Sequence, residues 1–294
     1  MKSFYGADVN PLHTILIGWP NRTPGATLTG GAWQSALPLA NLTTREPWRV
    51  ARSVNLLAAS TRLDADLGQL RSLRAFALGN HNLSQQARWR IQLGTAPGLA
   101  DVYDSAWQAV WALSFDGDLL EWESLSFWEG VVDDPAAYAG YPYPAIHVLP
   151  DWANARYLRV LIDDPANPAG YVQIGQLFAG GGLQPRYSAS YGLQDSWIDK
   201  TEVQETESGY AFADPRRRRR RVQFATEHLS LTEAAVAHEL QRRQGLWGEV
   251  LWVPYPGNQA ESQRYGFIGR MSELSAIDFP YYNTRSQGWA ITEI

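Results

Sequence analysis

The 294-residue chain has no cysteine. Disulfides, thiolate metal sites and a cysteine nucleophile are therefore excluded, and stability must come from packing or from assembly. Charge is sparse. Charged residues make up 19% of the chain, the formal net charge is −5 and the pI is near 5.6, so general affinity for nucleic acid is not expected. Long hydrophobic runs are missing as well. The first stretch, MKSFYGADVNPLHTILIGWPNR, has one early lysine and only Ile15-Leu16-Ile17 as an apolar run. It lacks a signal-peptide core, and no stretch approaches transmembrane length. Synthesis in a cytoplasm without export is the expectation. Catalytic motifs are also absent. There is no glycine-rich phosphate loop and no G-x-S-x-G elbow. His238 and Glu239 lie in HELQRRQ, which lacks a second histidine four positions on, so zinc-protease spacing is not met. The five histidines, His13, His81, His147, His228 and His238, read as structural or surface residues.

What is abundant is aromatic: 13 Trp and 14 Tyr. Large apolar faces with a polar handle suit sandwich cores, subunit contacts and sugar platforms alike, and core packing accounts for most of them. The chain is organised around residues 155–182. Tyr157–Ile162 and Tyr171–Phe178 are rich in β-branched and aromatic residues and read as strands. The loop Asp163-Asp164-Pro165-Ala166-Asn167-Pro168-Ala169-Gly170 cannot continue a ladder. Gly175 marks a bulge or a close backbone approach. The pair reads as a closing hairpin of an antiparallel sandwich, with Gly180-Gly181-Gly182 ending the domain. Leu63, Ala65 and Leu67 alternate with polar neighbours, as do Trp89, Ile91 and Leu93 with Arg88, Arg90 and Gln92. Residues 133–144 form a Pro/Tyr/Gly surface loop.

Beyond the glycines the texture changes. Leu231–Gln244 is the one convincing helix, with Ser230 as N-cap, Glu233 completing a capping box and Gly245 at its end. The chain thus divides into residues 1–182, a β sandwich, and 183–294, a β-sandwich or split barrel with one flanking helix at about 231–244. The fold class is mainly β.

Candidate sites are few. Arg216, Arg217, Arg218, Arg219, Arg220 and Arg221 form a run of six. On a strand they face both ways, and both faces cannot be core, so one face meets solvent, a carboxylate-bearing partner or nucleic acid. A subunit contact and the lining of a DNA-passing lumen are the two options. Asp163, Asp164 and Asn167, or Asp133 and Asp134, offer oxygens to Ca²⁺, with turn capping before Pro165 and Pro135 as the preferred alternative. Tyr138, Tyr141 and Tyr143 are candidate glycan or protein contacts. No catalytic residue, cofactor or metal is assigned, and the chain is not read as an enzyme. A glycan hydrolase would need two carboxylates facing each other across a cleft, which a sequence cannot show.

Several of these motifs resemble a known family. DLGQLRSLRAFALGNHNLS, ARWRIQLG and ARYLRVLIDDPANPAGYVQIGQLFAG are similar to the discoidin or galactose-binding-like jelly roll, in the variety found in tail proteins of tailed bacteriophages. This resemblance covers residues 24–182. RRRRRRVQFATEHLSLTEAAVAHELQRRQGLWGEVLWVPYP and GFIGRMSEL resemble the tail-tube-like fold of tube, distal tail and hub proteins. The resemblance implies a structural virion protein of a long-tailed phage, like a distal tail protein. It would form a ring at the tail tip or baseplate, a hexamer before a trimer, joining tail tube to tail hub and tail fibre proteins, with phage DNA passing through. The competing expectation is a carbohydrate-binding module used in host adsorption. Its platform would be exposed aromatics in the loops Asn80–Ser84, Ala137–Tyr143 and Asp163–Tyr171.

Overall fold

A computed structural model describes residues 14–111, 143–205 and 211–294. In chain order the strands are β1 (Leu16–Asn21), β2 (Thr27–Thr29), β3 (Ala51–Arg52), β4 (Leu63–Gly79), β5 (Arg88–Gly94), β6 (Tyr103–Asp104), β7 (Gln108–Ala109), β8 (Ala145–Asp163), β9 (Gln173–Ile174) and β10 (Gln176–Leu183). Then come β11 (Gln194–Ile198), β12 (Glu202–Glu205), β13 (Ala211–Asp214), β14 (Arg219–Leu229) and helix α1 (Leu231–Gln244). Last are β15 (Glu249–Val253), helix α2 (Gln259–Tyr265), β16 (Phe267–Met271), β17 (Ile277–Tyr281) and β18 (Thr284–Glu293). The fold is mainly β and antiparallel, as expected.

Contacts divide the chain more than once. Residues up to Arg186 join Glu249–Ile268 in a first unit, and Tyr187–Gly248 joins Gly269–Ile294 in a second. The sequence reading cut the chain once, between 182 and 183; nothing in the local pattern of 249–268 announces its return.

In the first unit the ladder runs β15-β1-β10-β4-β8-β5-β6. The strands around 157–162 and 171–178 do exist, but they are not a hairpin. β8 and β10 both pair with β4, which lies between them. The stretch 171–178 breaks at Gly175. A Cβ there would lie 2.3 Å from the Pro47 carbonyl oxygen, so a side chain is excluded by a close backbone approach. The triple glycine does not end a domain either. It lies inside β10, where a Cβ on Gly180 would meet the Pro20 carbonyl oxygen at 2.5 Å. β4 and β8 are long, at 17 and 19 residues, and their mutual register shifts between Asp66 and Arg71 and again between Leu73 and Ala75. These irregularities bend the strands, so the first half of β4 takes β2 as its other neighbour and the second half takes β10. Leu63, Ala65, Trp89, Ile91, Leu93, Leu158 and Val160 point inward into one core, to which Ala51 and Ile174 of the small β3–β9 pair contribute. The period-two alternation seen in the sequence is this sandwich's inside and outside.

The returning segment is pinned to the first unit at its first residue. Glu249 is 3% exposed, and its carboxylate accepts from Asn21 Nδ2 at 2.7 Å and Gln176 Nε2 at 3.0 Å. Burial pushes its pKa up, against the lowering effect of those two amides. Asn21 also caps Thr23 N and Ala179 N through Oδ1. One amide thus ties together β1, β10 and β15.

In the second unit β14 pairs with β11 and β18, and β18 pairs with β17 and with Gly269–Met271. β12 and β13 pair with each other as a separate hairpin. The core holds Val222, Phe224, Trp289 and Ile291, with Ala237 and Leu240 of α1 buried. Phe224 and Trp289 stack at 6.4 Å, and Trp289 Nε1 donates to Thr226 Oγ1 at 2.9 Å. α1 begins with the expected capping box of Ser230 and Glu233. It is not the one helix among the described residues, because α2, of seven residues, adds about two turns whose buried residues, Ser262 and Gln263, are polar.

Removing the Glu249 carboxyl would leave the buried Gln176 amide short of an acceptor and take from Asn21 Nδ2 the shorter of its two bonds, the other going to Leu177 O at 3.2 Å. Glu249→Ala should therefore destabilise the first unit by about 2 kcal/mol, seen as a lower urea midpoint; an unchanged midpoint would show that the pin is dispensable.

Candidate functional site at the loop end of the first unit

The loops following β4 and β8 meet. Asp164 is fully buried and acts as the peg. Its Oδ2 accepts from Ser84 N at 2.9 Å and from Asn167 Nδ2 at 2.8 Å, and its Oδ1 accepts from the Ser84 hydroxyl. Asn167 Nδ2 also donates to the Asn82 carbonyl at 2.9 Å. The Asn82 side chain clamps the far end of the loop, donating to Tyr171 O at 2.9 Å and accepting from Gln173 N at 2.7 Å. Two prolines and an Asx turn (Ala169 N to Asn167 Oδ1, 3.0 Å) hold the second loop without a ladder. Asp164 and Asn167 are thus used as turn and loop anchors. Asp163 pairs with Arg88 at 2.6 Å, and Asp133 and Asp134 lie outside the described residues. No cluster of three metal-ligating side chains occurs among the described residues.

Over this frame lies a groove of about 390 Å³, lined by Asn82, Leu83, Ser84, Gln85, Gln86, Trp111, Ala166 and Pro168. Trp111 is positioned on three sides. Its Nε1 donates to Leu83 O at 3.2 Å, His81 meets it edge-on at 5.6 Å, and Tyr143 meets it edge-on at 6.4 Å. The groove therefore offers an aromatic wall, two glutamine amides and a floor of fixed loop backbone.

Of the tyrosines expected at a contact loop, Tyr143 packs against Trp111, while Tyr138 and Tyr141 lie outside the described residues. The loops 80–84 and 163–171 do come together, as the platform reading required. The sequence reading missed Trp111, Gln85 and Gln86. Nothing around Trp111 in sequence marks it as a site residue, and glutamines carry no pattern of their own.

The arginine run resolves residue by residue. Arg220 is 3% exposed and paired with Glu293, through Nη2 to Oε1 at 3.0 Å and Nε to Oε2 at 3.2 Å. It is a core ion pair, which removes it from the candidate interface or lumen set. Alternation on β14 turns Arg220 to the same side as Val222 and Phe224, and the carboxylate of β18 neutralises it there. Arg216 pairs with Asp214 at 2.6 Å, Arg217 with Glu293 at 3.6 Å and Arg218 with Asp199 at 3.1 Å. Arg219 is exposed and Arg221 is partly exposed. On α1, Glu239 is engaged by Arg242 at 2.7 Å and by Arg243, which agrees with a surface role for His238–Glu239. Among the described residues, no helix is long and apolar enough to cross a membrane.

No protein-family model matches the chain, and no curated protein does. Solved structures give fold-level likenesses only. A family 32 carbohydrate-binding module of Clostridium perfringens NanJ, solved with galactose, is similar at 10% identity over 55% of this chain and 98% of that one, with a TM-score of 0.35. The lectin domain of lectinolysin, solved with Lewis B antigen, is similar at 12% identity over 55% and 96%, with a TM-score of 0.34. A family 89 glycoside hydrolase of C. perfringens is similar at 13% identity over 56% of this chain, with a TM-score of 0.37, and the match spans 15% of that enzyme's length. At these values the likeness carries no argument about ligand, site or reaction here.

Two histidines near this end, each partly exposed at its edge, are held neutral by desolvation. Burial lowers the pKa of His81 from 6.5 to about 4, against the raising effects of Asp164 and the Tyr143 backbone. Burial likewise lowers His147 to about 4; its Nε2 lies 2.9 Å from the Tyr103 hydroxyl. The unfolded chain binds these protons first, so stability present above pH 6.5 is lost as pH falls towards 4, by up to about 1.4 kcal/mol per pH unit per histidine. Urea denaturation of His147→Gln between pH 6 and 4.5 should give a shallower slope than wild type. Identical slopes would contradict a desolvated, neutral His147.

Proposed function

We propose that the first unit is a carbohydrate-recognition module, with the loop-end groove as its binding site. The observation that carries this reading is the convergence of the two loops on a held Trp111 beside Gln85 and Gln86. An aromatic wall receives the apolar C–H face of a sugar ring, while amides and backbone groups exchange hydrogen bonds with its hydroxyls. Preorganisation matters because a site already fixed by Asp164 and Asn82 loses little entropy on binding. The lectin-type neighbours agree with this reading in kind, though they do not carry it. On a glycan array, wild type should bind a defined set of neutral glycans, and Trp111→Ala should weaken that binding at least tenfold with its circular dichroism unchanged. Silence of the wild-type protein across the array would falsify the assignment.

A second reading, compatible with the first, is that the chain is a structural component of a phage tail tip or baseplate that uses this module at the host surface. It is favoured by the second unit. Trp197, Phe212, Phe279 and Tyr281 are all exposed, and Tyr282 is 92% exposed, which is costly for a lone particle in water. The β12–β13 hairpin pairs with no third described strand, and an isolated two-stranded hairpin is marginal in water. Assembly would cover both. The partners are then further copies of the chain in a ring around the path of phage DNA, with tail tube, hub and fibre proteins as neighbours. Native mass spectrometry and negative-stain imaging should show a closed ring, sixfold before threefold. A strictly monomeric subunit in assembled tails would exclude it.

A further inference from the structure

The outward face of the first unit's sheet holds a second recess, of about 350 Å³. It is set by register. Thr29 of β2 stands opposite Asp64 of β4, which stands opposite Arg159 of β8. One rung along, Thr27, Asp66 and Tyr157 align in the same way. The intervening Leu28, Ala65 and Leu158 face the core, so these six side chains share the outer face. The loop after β5 makes the wall. A Cβ on Gly94 would lie 2.2 Å from the Leu99 carbonyl oxygen, so the chain arches back directly over the strand end. Asp101 fixes that arch by accepting from Thr95 N at 2.9 Å and Thr95 Oγ1 at 2.6 Å. Pro97–Leu99 then overhangs the rungs.

The charges in the recess are already balanced. Asp66 takes a two-pronged grip from Arg156, at 2.8 and 2.9 Å, and accepts from Gly68 N at 2.8 Å. Asp64 accepts from Arg159 Nε at 2.5 Å and pairs with Arg62 at 3.1 Å. A metal ion or an anion would have to break these pairs. A neutral polyol would not, because its hydroxyls can donate to the remaining carboxylate lone pairs and accept from guanidinium and threonine. One face of the Tyr157 ring is covered by the Arg156 guanidinium at 5.0 Å, which stiffens the ring, and Leu99 is exposed beside it as an apolar wall.

We propose that this recess is a second carbohydrate subsite, taking one or two neutral pyranose units against Tyr157 and Leu99, with their hydroxyls on Asp64, Asp66, Arg159, Thr27 and Thr29. The ligand class extends the glycan reading, but the site does not depend on the loop-end groove. Asp163, at the groove end of β8, is four residues from Arg159, roughly 13 Å along the strand. A short sugar cannot fill both places, so the unit binds either a longer glycan at two points or two chains at once, and gains avidity from doing so.

Calorimetric titration of the full chain separates the two sites. The probes are galactose, glucose, N-acetylglucosamine, lactose, cellobiose and 3′-sialyllactose. Thr29→Trp fills the recess from an exposed strand position, and Trp111→Ala disables the groove. The expected result is a stoichiometry falling from two to one in each single variant and to none in the double variant. Binding abolished by Trp111→Ala alone, with Thr29→Trp at wild-type stoichiometry, overturns the recess and leaves the groove. Loss confined to Thr29→Trp supports the recess and overturns the groove. No binding by wild type overturns both. A preference for 3′-sialyllactose that Thr29→Trp removes overturns the neutral ligand class. Should Thr29→Trp lose its fold by circular dichroism, Tyr157→Ala takes its place, with the same outcomes.

Discussion

A buried carboxyl bonded by two amides is the interaction on which the first unit's closure depends. Glu249, Asn21 and Gln176 come from three distant parts of the chain, and each satisfies groups the others would leave bare in the interior. Removing the Glu249 carboxyl or the Gln176 amide costs more than a hydrogen bond, because the buried partner left behind loses an acceptor or donor that water does not readily replace. β10 then carries the constraint inward. Its glycines let Pro20 approach the backbone closely, β4 adds on its other side, and β8 on the far side of β4 ends in the loop that Asp164 pegs to Ser84. The groove is thus the far end of a chain of pairings that begins at a buried carboxyl.

Some of this was legible because one face of a strand meets water. Leu63, Ala65 and Leu67, and Trp89, Ile91 and Leu93, alternate with polar residues, so their inside and outside could be read directly. The capping box at Ser230 and Glu233 is a local signal and was equally readable. The hairpin assignment failed for a different reason. Two strands joined by a short, proline-rich loop look like neighbours, yet β4 inserts between them, and nothing local reports a partner nearly a hundred residues away. Helix α2 escaped because QAESQRY has no apolar stripe. Its inward residues are Ser262 and Gln263, held by hydrogen bonds to Tyr255 O at 2.5 Å and Val110 O at 3.3 Å.

The candidate sites follow the same division. The loops 80–84 and 163–171 were identifiable from their turn residues, and the structure brings them together. Trp111 was not, because only the fold reveals that it stands beside Leu83. The recess on the sheet was invisible as a site: Asp64 and Asp66 lie more than ninety residues from Arg159 in the chain, and only register puts them on adjacent rungs under the 97–99 arch. For the arginine run, alternation announced that the two faces differ, but only Glu293 on β18 decides which arginine is internal. The buried pair Arg220–Glu293 adds little net stability, since desolvating both ions offsets much of their attraction, but removing either partner alone would leave the other charge buried and unpaired.

The division of the chain has a consequence for heredity. The first unit is written in two pieces, with the second unit's residues lying between β10 and β15 and again after Ile268. A recombination event that cut once, at the glycine run, would carry away a sandwich without Glu249 and leave a remnant that still contained it. Such a unit cannot be shuffled between genes as a cassette. Exchange must either preserve the whole arrangement or replace the second unit's segments as insertions within the first, so the two units are expected to have travelled through descent together.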